Sequence, residues 1–197
     1  MDDRQIAAFR AREPQAKRVS YHPITGHTEL IVHLGVPTEA FRAPGIYNPY
    51  FEHRGIDAVV VPMGCEATEF SELLPLLFRL RNLRGALITM PHKVAAAALL
   101  DESSPAVAVA GACNAIRRDD RGRLVGDLFD GEGFVRGVER RSRRIDGATA
   151  LVVGCGGVGS AIAVALADRG ARALGVFDIG FPTTTPAALR RLAEIDD

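Results

Sequence analysis

Apolar positions along the chain fall into short β-branched runs separated by stretches of helical spacing. Leu30–Leu34, inside "TELIVHLGVP", reads as a buried strand stopped by Gly35 and Pro37. "APGIYNPYFEHRGI" follows as a helix ending near Gly55, with Pro49 expected to kink it or delay its start. "DAVVVPM", Asp57–Met63, is a second β-branched strand. In "TEFSELLPLLFRLRNLRG" the residues Phe70, Leu73, Leu74, Leu77 and Leu80 recur at helical intervals, and Gly85 follows the basic end. "GALITM" is a third strand, which delivers the chain into Pro91, His92 and Lys93 at the head of an alanine-rich helix. Further on, Cys113–Arg117 and Arg123–Asp127 read as a hairpin across the turn "DDRG", and a helix begins after Asp130.

Strand, helix, strand in repetition is the order of a parallel α/β sheet with right-handed crossovers, whose ligand sites collect beyond the carboxyl ends of the strands. Lys93 stands just past such an end, in otherwise apolar company. A lysine is costly to bury, so it either reaches water or has a task. A solvated lysine on a first helical turn is the ordinary alternative at this point.

The second half of the chain has a sharper local pattern. The strand Ala148–Val153 runs into Gly154-Cys155-Gly156-Gly157-Val158-Gly159 and then an alanine-rich helix, and a second strand, "ALGVF", leads to Asp178. In such a loop Gly154 permits the tight turn, Gly156 lets a pyrophosphate approach the backbone, and Gly159 lets helix lie against strand. Gly157 and Val158 complete the loop at the helix N-terminus, where N–H groups without partners face the ligand. Asp178 stands where a Rossmann domain places the carboxylate for the adenosine ribose; the alternative is a loop or cap residue. A carboxylate there repels a 2′-phosphate and no arginine follows in "IGFPTTTP", so NAD is preferred to NADP. The expected fold class is α/β: an N-terminal parallel α/β substrate domain over 1–130, then a partial Rossmann dinucleotide-binding domain over 131–197.

Charge narrows the partners. Lys plus Arg and Asp plus Glu stand at 24 each, so no global field recruits nucleic acid or an anionic membrane, and a small-molecule partner fits better. No segment approaches a membrane span of roughly 18 apolar residues, and the mixed-charge N-terminus is no signal peptide. Cys65, Cys113 and Cys155 are odd in number and widely spaced, which fits a reducing cytoplasm. His22, His27, His33, His53 and His92 form no metal-ligand spacing, so no metal is expected; His92 is read as a solvent-facing residue at a helix start, with a place lining the cleft beside Lys93 as the alternative. No GxSxG elbow supports serine-hydrolase chemistry.

The landmarks "GHTELIVHLGVP", "APGIYNPYFEHRGIDAVVVPM", "GALITMPHK", "GACNAI", "GDLFDGEGF" and "VVGCGGVGSA" occur in an order that resembles the shikimate dehydrogenase family. The resemblance implies two α/β domains facing each other across a cleft, with Lys93 and Asp130 as the catalytic pair. Lys93 would exchange a proton with the oxygen of an alcohol or ketone as hydride moves. Thr89 and Asn114 match substrate-contacting positions of the family. Phe41 and Ala43 fall where it has the Ser-x-Ser that grips the shikimate carboxylate, and Tyr47 falls where it often has a histidine. Leu87, Ala115, Leu128 and Phe129 are further departures. Loss of two charge-assisted bonds, about 1.5–3 kcal/mol each, points to a less polar cyclic alcohol or ketone without the carboxylate.

A complete dinucleotide domain has two mononucleotide-binding halves, and only the first is recognisable here. The chain is therefore expected to be a C-terminally truncated form, weakly active or inactive, with uncovered faces that favour self-association into a homo-oligomer. The alternative from another class is a non-catalytic nucleotide-binding or regulatory protein on the same scaffold.

Overall fold

The computed structural model describes residues 23–178. His22, the rest of the N-terminal lead-in, and the "PAALRRLAEIDD" stretch lie outside the described residues. The strands are β1 (Glu29–Gly35), β2 (Ala58–Gly64), β3 (Leu83–Ile88), β4 (Glu102–Ser103), β5 (Ala115–Arg118), β6 (Leu124–Asp127), β7 (Thr149–Val153) and β8 (Ala173–Phe177). The helices are α1 (Ala43–Arg54), α2 (Phe70–Leu77), α3 (Lys93–Ala97), α4 (Pro105–Ala110), α5 (Asp130–Glu139) and α6 (Gly157–Asp168), with a 3₁₀ turn at Thr38–Ala40.

Six strands form one sheet in the order β2-β1-β3-β5-β6-β4, and β7 and β8 pair separately. β1 pairs in parallel with β2 and β3, as α/β crossovers require. β5 then pairs antiparallel with both β3 and β6, so the hairpin turns an otherwise parallel sheet into a mixed one. β7 and β8 are parallel, joined through α6.

Two apolar clusters follow the two sheets. Val32, Leu34, Phe70, Leu74, Ala86, Ile88, Val107 and Ile116 fill the first, between the six-stranded sheet and its helices. Val135, Ile145, Val152, Ala163 and Leu166 fill the second, so α5 packs with α6 and the β7–β8 pair.

Several expectations are corrected. Pro49 does not delay α1, which runs through it from Ala43 to Arg54. The carbonyl that Pro49 leaves without its amide belongs to Gly45, on a side with nothing within 4 Å of an added Cβ, so water can satisfy it. The Asn48 side chain also ties α1 to the edge strand, accepting from Val60 N–H at 2.7 Å and donating to its carbonyl at 3.2 Å. The alanine-rich helix after Lys93 stops at Ala97. Between it and the hairpin lie the unforeseen β4 and α4; Ser104 caps α4 by accepting from Val107 N–H, and Gly111 ends it at φ 64°.

Candidate active site

Lys93 is placed by its backbone before its side chain acts. Past the end of β3, Thr89 N–H donates to Leu34 O at 2.9 Å, Val36 N–H to Met90 O at 3.1 Å and His92 N–H to Thr89 O at 2.9 Å. His92 is 1% exposed, a correction to the solvent-facing expectation. Its ring stacks on Phe70 at 4.3 Å, and Nε2 hydrogen-bonds Cys65 O at 2.8 Å, so a polar ring is buried with a partner and anchors the turn. Cys113 N–H donates to Lys93 O at 2.8 Å from the other side.

From that seat Lys93 Nζ donates to Asp130 Oδ2 at 2.6 Å, with the two side chains 15% and 24% exposed. A pair so enclosed lies between an exposed bridge, worth up to about 1 kcal/mol, and a buried one whose breakage costs about 3–5 kcal/mol. Asp130 opens α5, where the helix dipole favours a carboxylate. The loop before it is braced: Asn114 Oδ1 accepts from Phe129 N–H at 3.1 Å, while Asp127 Oδ1 accepts from Leu128 N–H at 2.7 Å and Ser104 Oγ–H at 2.6 Å. Asn114, expected as a substrate contact, thus commits its carbonyl oxygen to positioning the Asp130 loop.

Phe41 and Thr89 meet over Gly35. A Cβ on that glycine would collide with the Thr89 methyl and lie 2.7 Å from Met90 O and 3.0 Å from Phe41 Cζ. Phe41 in turn lies 4.1 Å from the ring of His33. His33 was set aside in the sequence as a mere non-ligand; a lone histidine in an apolar strand, two residues before the glycine stop, was the available signal. Burial and then the Lys93 ammonium hold its pKa below the usual histidine value. Ala43 begins α1 beside this cluster, whereas Tyr47 is 41% exposed with Phe51, 6.1 Å away, as its ring neighbour.

The glycine loop has the conformation its spacing implies. Gly154 takes φ 94°, and its N–H donates to Phe177 O at 2.7 Å. Gly156 precedes α6 with nothing within 4 Å of an added Cβ, leaving the backbone approachable. A Cβ on Gly159 would collide with the Gly154 carbonyl, and one on Gly157 would lie 2.6 Å from Ala112 Cβ. Val158 is exposed on the first turn of α6. Asp178 reaches back into the loop, accepting from Cys155 N–H at 2.5 Å. All three cysteines are free and buried, and no group of three His, Cys, Asp or Glu among the described residues could hold a metal ion. No helix among the described residues is long and apolar enough to cross a membrane.

Residues 34–116 match the family model for the shikimate dehydrogenase substrate binding domain. A shikimate dehydrogenase (NADP(+)) of Listeria monocytogenes is 34% identical over 155 residues, covering 79% of this chain and 53% of that relative. One from Gluconobacter oxydans is 37% identical over 147 residues, covering 75% and 52%. Among solved structures, shikimate 5-dehydrogenase from Listeria monocytogenes in complex with shikimate and NAD superposes with a TM-score of 0.77 at 31% identity, covering 89% of this chain and 59% of that one. The chain spans about half the length of the curated relatives it matches. By these matches and its α/β fold, the chain belongs to the shikimate dehydrogenase family.

Proposed function

We propose that this protein carries the site of an NAD(P)-dependent oxidoreductase of shikimate dehydrogenase type, acting on a cyclic alcohol or ketone less polar than shikimate. The observation that carries the reading is the 2.6 Å contact between Lys93 Nζ and Asp130 Oδ2, two residues far apart in the chain, brought together beyond the ends of β3 and β6. Residues up to 130 supply the substrate side and those from 131 the dinucleotide side, in keeping with the two apolar clusters.

A bound nicotinamide dinucleotide would supply the hydride acceptor or donor. The open backbone at Gly156 and the close approach of Gly159 to the Gly154 carbonyl fit such a ligand. In the reductive direction the Lys93 ammonium would give a proton to the carbonyl oxygen as hydride passes from the dinucleotide to the carbonyl carbon; in the oxidative direction the neutral Lys93 amine would take the hydroxyl proton as hydride passes from the carbon bearing that hydroxyl to the dinucleotide. Asp130 holds Nζ in position and balances its charge. Thr89 and Phe41 form the wall facing the substrate, and Phe41 and Ala43 leave it without the two serine hydroxyls that the family resemblance implies.

NAD is the proposed cofactor over NADP, on the strength of the Asp178 carboxylate beside the loop. The curated relatives are themselves named for NADP(+), so both dinucleotides belong in the assay. NADH and NADPH fluorescence on titration with the protein measures binding, and dinucleotide reduction with shikimate, quinate and uncharged cyclic alcohols measures turnover. Gly159→Ala is expected to abolish dinucleotide binding, and Lys93→Ala to lower turnover about 10²–10⁴-fold with dinucleotide binding retained. Failure of both dinucleotides to bind, or turnover indifferent to Lys93→Ala, overturns the reading.

A further inference from the structure

We infer that His33 is a further substrate-binding residue, whose Nε2–H donates to an oxygen of an uncharged, hydroxyl-bearing substrate lying against Phe41. This rests on the substrate site proposed above and assigns to it a residue that neither the family motifs nor the comparisons point to.

The placement comes from strand alternation. Val32 and Leu34 turn into the first apolar cluster, so His33 and Gly35 share the opposite face of β1. On that face the His33 ring lies 4.1 Å from Phe41, and Phe41 and Thr89 crowd over Gly35. The Lys93 ammonium is near enough to act on the His33 imidazole electrostatically. Pro62 and Leu87 flank His33 in the sheet, while Phe41 and Lys93, the groups that act on its ring, belong to the proposed substrate wall and to the proposed catalytic pair.

The chemistry follows from the two ring nitrogens. Nδ1 is sealed from solvent and has no hydrogen-bond partner among the described residues. Nε2 is not sealed and likewise has none, so it is the nitrogen that opens outward. Burial and the Lys93 charge both favour the neutral ring. A neutral imidazole carries one proton, and a lone pair is less costly to bury unpaired than an N–H. The proton therefore belongs on Nε2, which presents a donor to whatever fills the space beside Phe41.

The same cluster selects against charge. Lys93 is already matched by Asp130, His33 is neutral, and Phe41 and Ala43 bring no donor where the family has two serines. A carboxylate placed here would meet a lysine whose charge Asp130 already matches and no donor from Phe41 or Ala43, whereas an alcohol oxygen needs only the single donor His33 offers.

The test uses the 197-residue protein with saturating NAD and two probes that share one ring: shikimate, and its analogue with the carboxylate reduced to a hydroxymethyl group. Calorimetric titration is expected to show the hydroxymethyl compound binding at least about tenfold more tightly than shikimate, and His33→Phe is expected to weaken it about tenfold. His33→Gln, which carries an N–H at similar reach, should restore most of that loss. Melting temperatures and NAD affinity should stay unchanged, and the ¹⁵N resonances of His33 should report the Nε2–H tautomer and shift on binding. Binding that His33→Phe leaves intact, or an Nδ1–H tautomer, overturns this inference alone, whereas tighter binding of shikimate overturns it together with the less polar substrate proposed above. If the parent protein binds neither probe while binding NAD, the substrate-site reading falls and takes this inference with it.

Discussion

Gly131 offers a test in which helix propensity and packing predict opposite signs. It is the second residue of α5, directly after Asp130. On propensity alone a helical glycine replaced by alanine gains roughly 0.5–1 kcal/mol. A Cβ at Gly131, however, would collide with the carbonyl oxygen of Ala161 on α6, lying 2.7 Å from its carbon and 3.0 Å from Ala165 Cβ. The obstacle is helical backbone, which cannot step aside by a rotamer change, so the two helices must separate. Overpacking of this kind costs about 1–3 kcal/mol, which outweighs the propensity gain and leaves a net loss of about 1–2 kcal/mol for Gly131→Ala. Gly133 and Gly137, on the same helix, meet nothing within 4 Å and serve as controls: each alanine there should stabilise by about 0.5–1 kcal/mol. Urea unfolding of the three variants reads the difference as a shift of midpoint at constant slope. Because Asp130 moves with the first turn of α5, Gly131→Ala should also lower turnover while the controls leave it alone. A Gly131→Ala protein as stable as Gly133→Ala would show that the close approach of α5 and α6 is not what that glycine is for.

Asn48→Ala leaves both backbone polar groups of Val60 on an edge strand without their side-chain partner; a loss of about 1–2 kcal/mol in urea unfolding, faster amide exchange at Val60 and more self-association are expected. Burial pushes the Cys113 thiol from 9.0 up to about 11, since the residue is 0% exposed. The unfolded thiol therefore ionises first as pH rises, so its contribution to stability is complete below about pH 9 and is lost toward pH 11, by of order 2–3 kcal/mol. Unfolding free energies of the parent and Cys113→Ala, compared across that range, should converge with rising pH; parallel curves would refute it.

What the sequence made legible has a common physical basis. The glycine loop and the Lys93 segment each sit at a strand end with a short-range requirement: a positive φ at Gly154, a near contact at Gly159, a lysine past an apolar strand. Such requirements are local, and local patterns survive in sequence. α4 is hard to read although Ser104, Pro105 and Gly111 mark its start and end, because the five alternating alanines and valines of Ala106–Ala110 suit a strand as well as a helix. The antiparallel insertion of β5 beside β3 is a choice made by tertiary pairing, and nothing in the composition of either strand encodes direction. The burial of His92 and the setting of His33 are not legible in the sequence for the same reason. Whether a histidine is stacked under Phe70 or set beside Phe41 depends on a ring from a distant segment.

The three residues Ala112, Cys113 and Asn114 explain why Lys93, Asp130 and the glycine loop are held in one frame. Ala112 packs against Gly157 at the head of α6. Cys113 N–H fixes the Lys93 carbonyl, and Asn114 takes Ile88 N–H on its backbone oxygen, gives its own N–H to Asp127 O, and braces Phe129 through Oδ1. One extended turn of chain thereby touches α6, the Lys93 segment and the Asp130 loop, through bonds made almost entirely by backbone. The 2.6 Å contact between Lys93 and Asp130 is then a consequence of where the backbone sets their Cα atoms rather than the cause of it. Replacing Asp130 by asparagine should accordingly disturb the charge at Nζ far more than its location, while a bulkier residue at Ala112 should displace α6 from a lysine that has not moved.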